Sequence, residues 1–371
     1  MKKSYLLFFL TLPFLFLIAC EKNSDSGDDN AELTGKLKSV SDSIINATNL
    51  HIPGLVALVV DKDKGIEWLY TAGVSDIAGN LPMDADYAFR IGSNTKTMTG
   101  TVLLQLVNEG KIKLEDTLSQ YFPSFPRADS ITIKMLMNMS SGYYNYSTAP
   151  EFTEAMAEDP LKVWEPMELL DIAFSHDFYF PVGTGFHYSN TNTIILGMLI
   201  EQLTGTDLKT QITNRIYAPL GFEHTGFLTS GSVLPGTHGN GYYEGTFVEG
   251  NDVTERYDMS WAWSAGSAYS TPRELQKYVE TMVEGGFLSD TLQKRRLSDM
   301  IESAQGGYGL CILHRGSFYG HNGGCPGFTS AMYHSNERNC TIIIYFNCQI
   351  DSYIPDNLFL RFANILYGPD F

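Results

Sequence analysis

Among all the serines of the chain, only Ser93 is followed by a lysine three residues on. In a helix that spacing puts hydroxyl and amine on one face, where the amine can hydrogen-bond the hydroxyl and activate it as a nucleophile. A helix is predicted there. Met98, Val102, Leu103, Leu106 and Val107 mark one apolar face, and Gly110 supplies the stop, so the helix spans Ser93 to Glu109. Its N-terminus adds unpaired N–H groups and partial positive charge, which favour a developing oxyanion. A solitary Ser-x-x-Lys is more often a capping serine followed by a surface lysine, so further groups must join it before it means catalysis. Two common hydrolase signatures are missing: there is no Gly-x-Ser-x-Gly and no His-Glu-x-x-His.

Two more segments qualify. Tyr188-Ser189-Asn190 lies where a Pro/Gly loop runs into an apolar helix, and a phenol held beside an amine can move a proton. The pattern Tyr-x-Asn occurs twice more. Tyr345-Phe346-Asn347 falls in a predicted strand and reads as core, while Tyr143-Tyr144-Asn145 follows Ser140-Ser141-Gly142 in a polar aromatic loop, placed at the rim of the cleft with no apolar helix after it. Tyr188 is therefore preferred. His321-Asn322-Gly323-Gly324 follows a short β run, and its glycines let a substrate backbone approach a strand edge.

The elements that must hold these groups can be read from periodicity. Leu33, Leu37, Val40, Ile44 and Ile45 predict a first helix ending near Asn49, followed by strands at Leu55 to Val60 and Ile66 to Thr71 with a turn between them. Helices and loops then dominate from about residue 93 to 225. Further helices are expected at Pro272 to Glu284 and Asp290 to Ser303. Tyr308 to His314, Ser317 to His321, Phe328 to His334 and Thr341 to Asn347 read as an antiparallel meander, and Ile354 to Leu366 as a last amphipathic helix. This order predicts an α/β fold: an antiparallel sheet built from both chain ends, flanked by helices, with an all-helical region inserted. With 371 residues, 43% hydrophobic and 18% charged, the chain can bury a full-sized core. Its formal charge of −17 would repel phosphate backbones, so nucleic acid is not an expected partner.

Residues 1–20 combine two lysines, an apolar run too short to span a bilayer, and Leu17-Ile18-Ala19-Cys20, which resembles a bacterial lipobox. The expected division is a signal peptide over 1–19, a lipidated Cys20 with a flexible tether over 20–30, and one catalytic domain over 31–371. Such a chain would be an exported lipoprotein of the outer membrane, periplasm or cell surface, held to the membrane through its N-terminal lipid. Cys311, Cys325, Cys340 and Cys348 form no Cys-x-x-Cys and read as buried or casually paired thiols, so neither metal nor cofactor is expected.

Taken in order, Ser93-x-x-Lys96, Tyr188-x-Asn190 and His321-x-Gly323 resemble the serine β-lactamase superfamily, in the branch of class C β-lactamases, D-alanyl-D-alanine carboxypeptidases and related esterases. Segments such as Ile131 to Gly142, Ala218 to Phe222, Ser264-Ala265-Gly266 and Gly320 to Phe328 extend the likeness over nearly all of residues 35–365. The resemblance implies Ser93 as acylated nucleophile, Lys96 as its proton partner, and Tyr188 as base for attack and acid for the leaving group. It further implies Asn190 positioning a substrate amide or the lysine, and an oxyanion hole from the N–H groups of Ser93 and Gly324. His321 would bind a substrate carboxylate or steer Tyr188. His321 and Asn322 replace the usual lysine and threonine, removing a permanent cation and a hydroxyl, which weighs against penicillin hydrolysis. Trp261, Trp263, Tyr269 and the tyrosines at 143, 144 and 146 suit an apolar acyl or alcohol group. The function so implied is acyl hydrolysis or transfer on a small ester, amide or D-amino-acid peptide. The alternatives are a D-alanyl-D-alanine carboxypeptidase, a weak β-lactamase, or a non-catalytic penicillin-binding sensor.

Overall fold

The structure is a computed structural model that describes residues 26–47, 50, 52–243, 251–303, 306–350, 353–369 and 371. The signal sequence, Cys20 and residues 21–25 of the tether lie outside the described residues. Strands β1 (Gly54–Asp61), β2 (Ile66–Asp76) and β3 (Leu81–Pro82) come from the first part of the chain. Strands β4 (Ile301–Ser303), β5 (Gly306–Tyr308), β6 (Leu313–Arg315), β7 (Phe318–Cys325), β8 (Phe328–Ser335) and β9 (Cys340–Phe346) come from the last. They form one nine-stranded sheet in the order β3-β2-β1-β9-β8-β7-β6-β5-β4. The antiparallel pairing of β1 with β9, Val56 opposite Tyr345, joins the two chain ends as expected.

Alternation along β1 separates two cores. Val56, Leu58 and Val60 face the helical region and pack in one cluster with Met98, Val102, Leu103 and Leu106 of helix α2 (Thr95–Asn108). Leu55, Ala57 and Val59 face the other way, onto Leu37 and Ile44 of α1 (Ser26–Ile45) and Leu358, Phe359 and Phe362 of the C-terminal helix Tyr353–Tyr367. Each such fully buried side chain contributes roughly 1.5–3 kcal/mol, so both faces anchor the sheet that carries the third motif. The helical insert includes α2 and α3 (Asn190–Thr204); α4 (Pro272–Glu284) lies on β8 and β9, with its Tyr278 Oη 3.0 Å from Thr97 Oγ1 of α2, and the C-terminal helix is α5.

Several boundaries differ from the sequence reading: the run Tyr308 to His314 is split between β5 and β6, β2 extends to Asp76, and α1 ends at Ile45. The first helix begins at Ser26, inside the stretch assigned to the tether by composition, and Asn30 donates to the Lys64 carbonyl at 2.9 Å. The helix predicted over 290–303 stops at Ser298, with Arg295 and Arg296 in its last turn, and Ile301–Ser303 becomes β4 opposite Gly306–Tyr308. Hydrogen bonding at the sheet edge outweighs local helical pattern there.

Candidate active site

Ser93 follows a tight turn that favours glycine at position 92. Gly92 has φ +50°, and a Cβ on it would lie 2.7 Å from the Gly324 nitrogen, so a side chain at 92 would push β7 away from Ser93. Gly323 is equally constrained, since a Cβ there would collide with the Ile91 carbonyl. Asn94 pins the turn to the sheet, its Nδ2 donating to Ile91 O and to Ser330 Oγ, each at 2.8 Å. Thr95 Oγ1 donates back to Gly92 O at 2.7 Å. Ser93 is thereby presented at the start of α2, half-buried.

Lys96, one turn on, is fully buried. Its Nζ donates to Ser93 Oγ at 2.9 Å and to Ala265 O at 2.8 Å, so Ser264-Ala265-Gly266 fixes the amine. Burial draws its pKa from 10.5 down to about 7, against a smaller opposing effect of Cys311. At neutral pH a large share of the amine is unprotonated and able to accept the serine proton.

Tyr188 places its ring centroid 4.9 Å from Lys96 Nζ. Its ring is partly exposed, while its hydroxyl is buried and makes no hydrogen bond of ordinary geometry among the described residues. Burial raises the phenol well above its usual 10, and the nearby Ser93 hydroxyl lowers it only in part. Burial thus keeps the resting phenol protonated. The competing tyrosines are accounted for. Tyr143 is buried in the core, not on the rim, with its hydroxyl donating to Pro126 O at 2.7 Å; Tyr345 stacks on Phe89 inside the protein.

Asn190, at the start of α3, is oriented by a closed set of bonds. Its backbone N–H donates to Asn145 Oδ1 at 2.9 Å, Ser147 Oγ donates to the same oxygen at 3.1 Å, and Asn190 Nδ2 donates to Ser147 Oγ at 2.8 Å. The Ser147 proton is spent on Asn145, so the Asn190 amide must point its nitrogen there. Its Oδ1 is left buried with no donor among the described residues.

His321 does not line the cleft. It is fully buried behind Tyr188 and Tyr308, its Nδ1 2.6 Å from Asn322 O and its Nε2 3.3 Å from Tyr308 Oη. The first contact needs a proton on Nδ1, so Nε2 accepts from Tyr308. Burial first, and the charge of Lys96 second, hold its pKa down at about 3. Of the two roles that the resemblance implies, binding a substrate carboxylate or steering Tyr188, this placement, facing Tyr308 and absent from the lining of the cavity beside Ser93, suits the second.

Gly324 lines three adjoining cavities. The first, about 540 Å³, runs from Ser93, Tyr188 and Gly324 to Phe186, Tyr308, Leu313 and Arg315. The second, about 470 Å³, is walled by Phe152, Met156, Tyr257 and Trp261, with Asn190 at its mouth. A small pocket between Ser93, Asn190, Trp261 and Gly266 connects to both through Gly324. A Cβ on Gly324 would meet only Thr329, at 3.7 Å, so the strand edge is open to the cleft. Along β7, β6 pairs with Phe318 to Gly320, the part of the strand before His321. Of the aromatics singled out in the sequence, Trp261 lines the cleft and Trp263 is core. Tyr269 lies in a separate cavity of about 550 Å³ with Asp84, Asp86 and Glu274, which shares no lining residue with the site. Arg315, Tyr308, Phe152 and Gln349 escaped sequence reasoning; they come from β6, β5, a short helix and a two-residue strand paired with Tyr242–Tyr243, with no spacing that links them to Ser93.

The fold and this site place the chain in a family: it belongs to the Beta-lactamase family, whose model matches residues 40–364. PbpX of Bacillus subtilis is 26% identical over 264 residues, 71% of this chain and 62% of that protein, so the match spans less than two thirds of that relative's length. Among solved structures, a D-stereospecific amidohydrolase from Streptomyces sp. superposes with TM-score 0.78 at 26% identity, over 91% of this chain and 99% of the other. The D-amino acid amidase of Ochrobactrum anthropi, in complex with L-phenylalanine amide, gives TM-score 0.78 at 25% identity, over 92% and 98%.

Proposed function

We propose that the protein is a serine acyl hydrolase or acyltransferase that works through an acyl-enzyme on Ser93. The observation that carries this reading is the 2.9 Å bond from the buried Lys96 amine to Ser93 Oγ, at the turn held against Gly324. Ser93 Oγ attacks the substrate carbonyl while its proton passes to neutral Lys96, and the new C–O bond leaves an oxyanion facing the N–H groups of Ser93 and Gly324. As the carbonyl re-forms, the bond to the leaving group breaks and Tyr188 gives that group its proton, which Lys96 replaces. Water, or an acceptor alcohol or amine, then repeats the sequence in reverse on the acyl-enzyme.

The cleft supports a small ester, an amide or a D-amino-acid peptide as substrate. Asn190 Oδ1 calls for an N–H donor, and Phe152, Met156, Tyr257 and Trp261 fit an apolar side chain beside it. The amidases to which the chain is similar point to the same class. Asn322 spends its Nδ2 on Asp356 at 2.8 Å and His321 is neutral, so the third motif offers little to a penicillin carboxylate. The lipid anchor expected at Cys20 would place this activity at the cell envelope. Turnover of a p-nitrophenyl ester, a D-phenylalanine amide and a penicillin, each followed with wild type and Ser93→Ala, tests the reading. Serine-dependent release from the ester or the amide is expected, and none from either would overturn it.

A further inference from the structure

The strand register places the cleft and the start of α1 at opposite ends of the sheet. Gly324 lies opposite Thr329, Thr329 opposite Phe346 and Phe346 opposite Leu55, so the strand edge against the Ser93 turn marks one end. At the other end Asp61 lies opposite Cys340 and Cys340 opposite Ser335. The turns 61–65 and 335–339 close the strands there, and Lys62 N donates to Asn339 O at 3.0 Å. Helix α1 runs from this second end toward the first. Asn30, near its start, donates to Lys64 O at 2.9 Å; Asp42, further along, accepts from Tyr70 in the middle of β2; and the chain then enters β1 at Gly54, level with the cleft.

These levels can be set against the reach of the N-terminal segment. Leu55 and Asp61 are six residues apart on β1, or about 20 Å at about 3.3 Å per residue. Helix α1 begins four residues before Asn30, which adds about 6 Å at about 1.5 Å per residue. Ser26 thus starts roughly 26 Å from the cleft along the sheet. Six residue steps link Cys20 to Ser26, and fully extended they span at most about 20 Å, less than that distance. In a chain of net charge −17, broad contact of a flank with an anionic leaflet is disfavoured, so the point of attachment sets the orientation.

We infer that the protein stands on its membrane by the end of the sheet that carries the turns 61–65 and 335–339, with the cleft at the far end and open to water. The partner of that end is the lipid surface that holds the acyl chains of Cys20. The substrate is then a water-borne ester, amide or peptide, and an acyl lipid of the anchoring leaflet is out of reach of Ser93. The inference rests on the lipid at Cys20 and on Ser93 as the reacting group.

The test uses the full-length lipidated protein in vesicles of phosphatidylethanolamine and phosphatidylglycerol that carry a rhodamine acceptor on their headgroups. Cys311, Cys325, Cys340 and Cys348 are buried, so a fluorophore can be directed to one added surface cysteine. Glu337→Cys, at an exposed position, labels the turn at the membrane end, and Glu154→Cys labels the exposed side of helix Pro150–Glu158, whose Phe152 walls the cleft. Serine-dependent hydrolysis of p-nitrophenyl butyrate should persist in both labelled variants. Energy transfer to the headgroups should be stronger from position 337 than from position 154, as a separation of about 20 Å along the sheet requires. Equal transfer from the two positions, or stronger transfer from 154, would overturn the orientation. In the same vesicles, a phospholipid whose headgroup ends in a p-nitrophenyl ester should be hydrolysed no faster by the anchored protein than by Cys20→Ser, although both hydrolyse it once it is dispersed in detergent; faster hydrolysis by the anchored form would place the cleft at the membrane. Cys20→Ser should abolish transfer from both positions. Transfer that survives this change, or a wild type that does not bind the vesicles, would remove the lipid anchor beneath the inference, whereas absence of serine-dependent ester turnover would remove the acyl-enzyme reading.

Discussion

Acylation of Ser93 should rise with pH through neutrality and level off by about pH 8. The cause is Lys96, whose burial takes its pKa from 10.5 to about 7. That fall corresponds to about 5 kcal/mol of lost preference for the charged form. Only the neutral amine can accept the serine proton. With a pKa near 7 roughly one lysine in ten is neutral at pH 6 and nine in ten at pH 8, so kcat/KM for a neutral ester should climb about tenfold between them. His321, held at about 3, and the buried Cys311 thiol, pushed up to about 12, both titrate outside this interval. The assay is the initial rate of p-nitrophenolate release from about pH 5.5 to about pH 10.5, a range that brackets both the lowered and the ordinary lysine pKa, with the rate of Ser93→Ala subtracted at every pH. A rate flat from pH 6 to 8 that rises only near pH 10 would show that an unperturbed lysine or the Tyr188 phenolate takes the proton, and the argument from burial would fail.

Other outcomes follow from the same geometry. Tyr188→Phe should lower kcat by about 10² or more through loss of proton transfer, whereas Tyr143→Phe, which deletes the 2.7 Å bond to Pro126 O, should cost about 1 kcal/mol of stability and leave kcat alone; denaturant titration and steady-state kinetics on both variants separate the two roles. Gly92→Ala forces a side chain into φ +50° and onto the Gly324 backbone, so kcat/KM should drop at least about 10²-fold, and an active, equally stable variant would contradict the close approach of turn and strand. Lys96→Met should inactivate the protein and yet stabilise it at pH 7. The wild-type lysine is protonated up to about 10.5 when unfolded but only up to about 7 when folded, so its penalty is full below pH 7 and fades as pH rises to 10.5. A Tm gain at pH 7 that shrinks by pH 10 is expected; an equal loss at both would refute it.

Much of this arrangement could be read from local pattern. The Ser93–Lys96 pair, the placement of Tyr188 beside it and the joining of the two chain ends in one sheet follow from helical spacing, flanking context and strand order, all short-range features. The fates of His321 and Tyr143 could not be read in this way. Whether a histidine faces a cleft or a neighbouring tyrosine depends on which face of β7 it takes and on what β5 places there, and Tyr308 comes from another strand. Tyr143 sits in a motif-like triplet, but Phe174 and Phe178 enclose it from a distant stretch of chain. Arg315 was invisible for a related reason. Its pairing with Asp356 spans 41 residues and joins β6 to α5 across the sheet, and no sequence spacing announces that.

The central claim is that Ser93 becomes acylated with the help of Lys96 in this cleft. Intact-mass measurement after exposure to a fluorophosphonate tests it most directly, applied to wild type, Ser93→Ala and Lys96→Met at pH 8. One adduct is predicted on wild type, located at Ser93 by peptide mapping, with none on Ser93→Ala and labelling at least about 10²-fold slower on Lys96→Met. An adduct that persists on Ser93→Ala, or a wild type that stays unlabelled, would contradict the account.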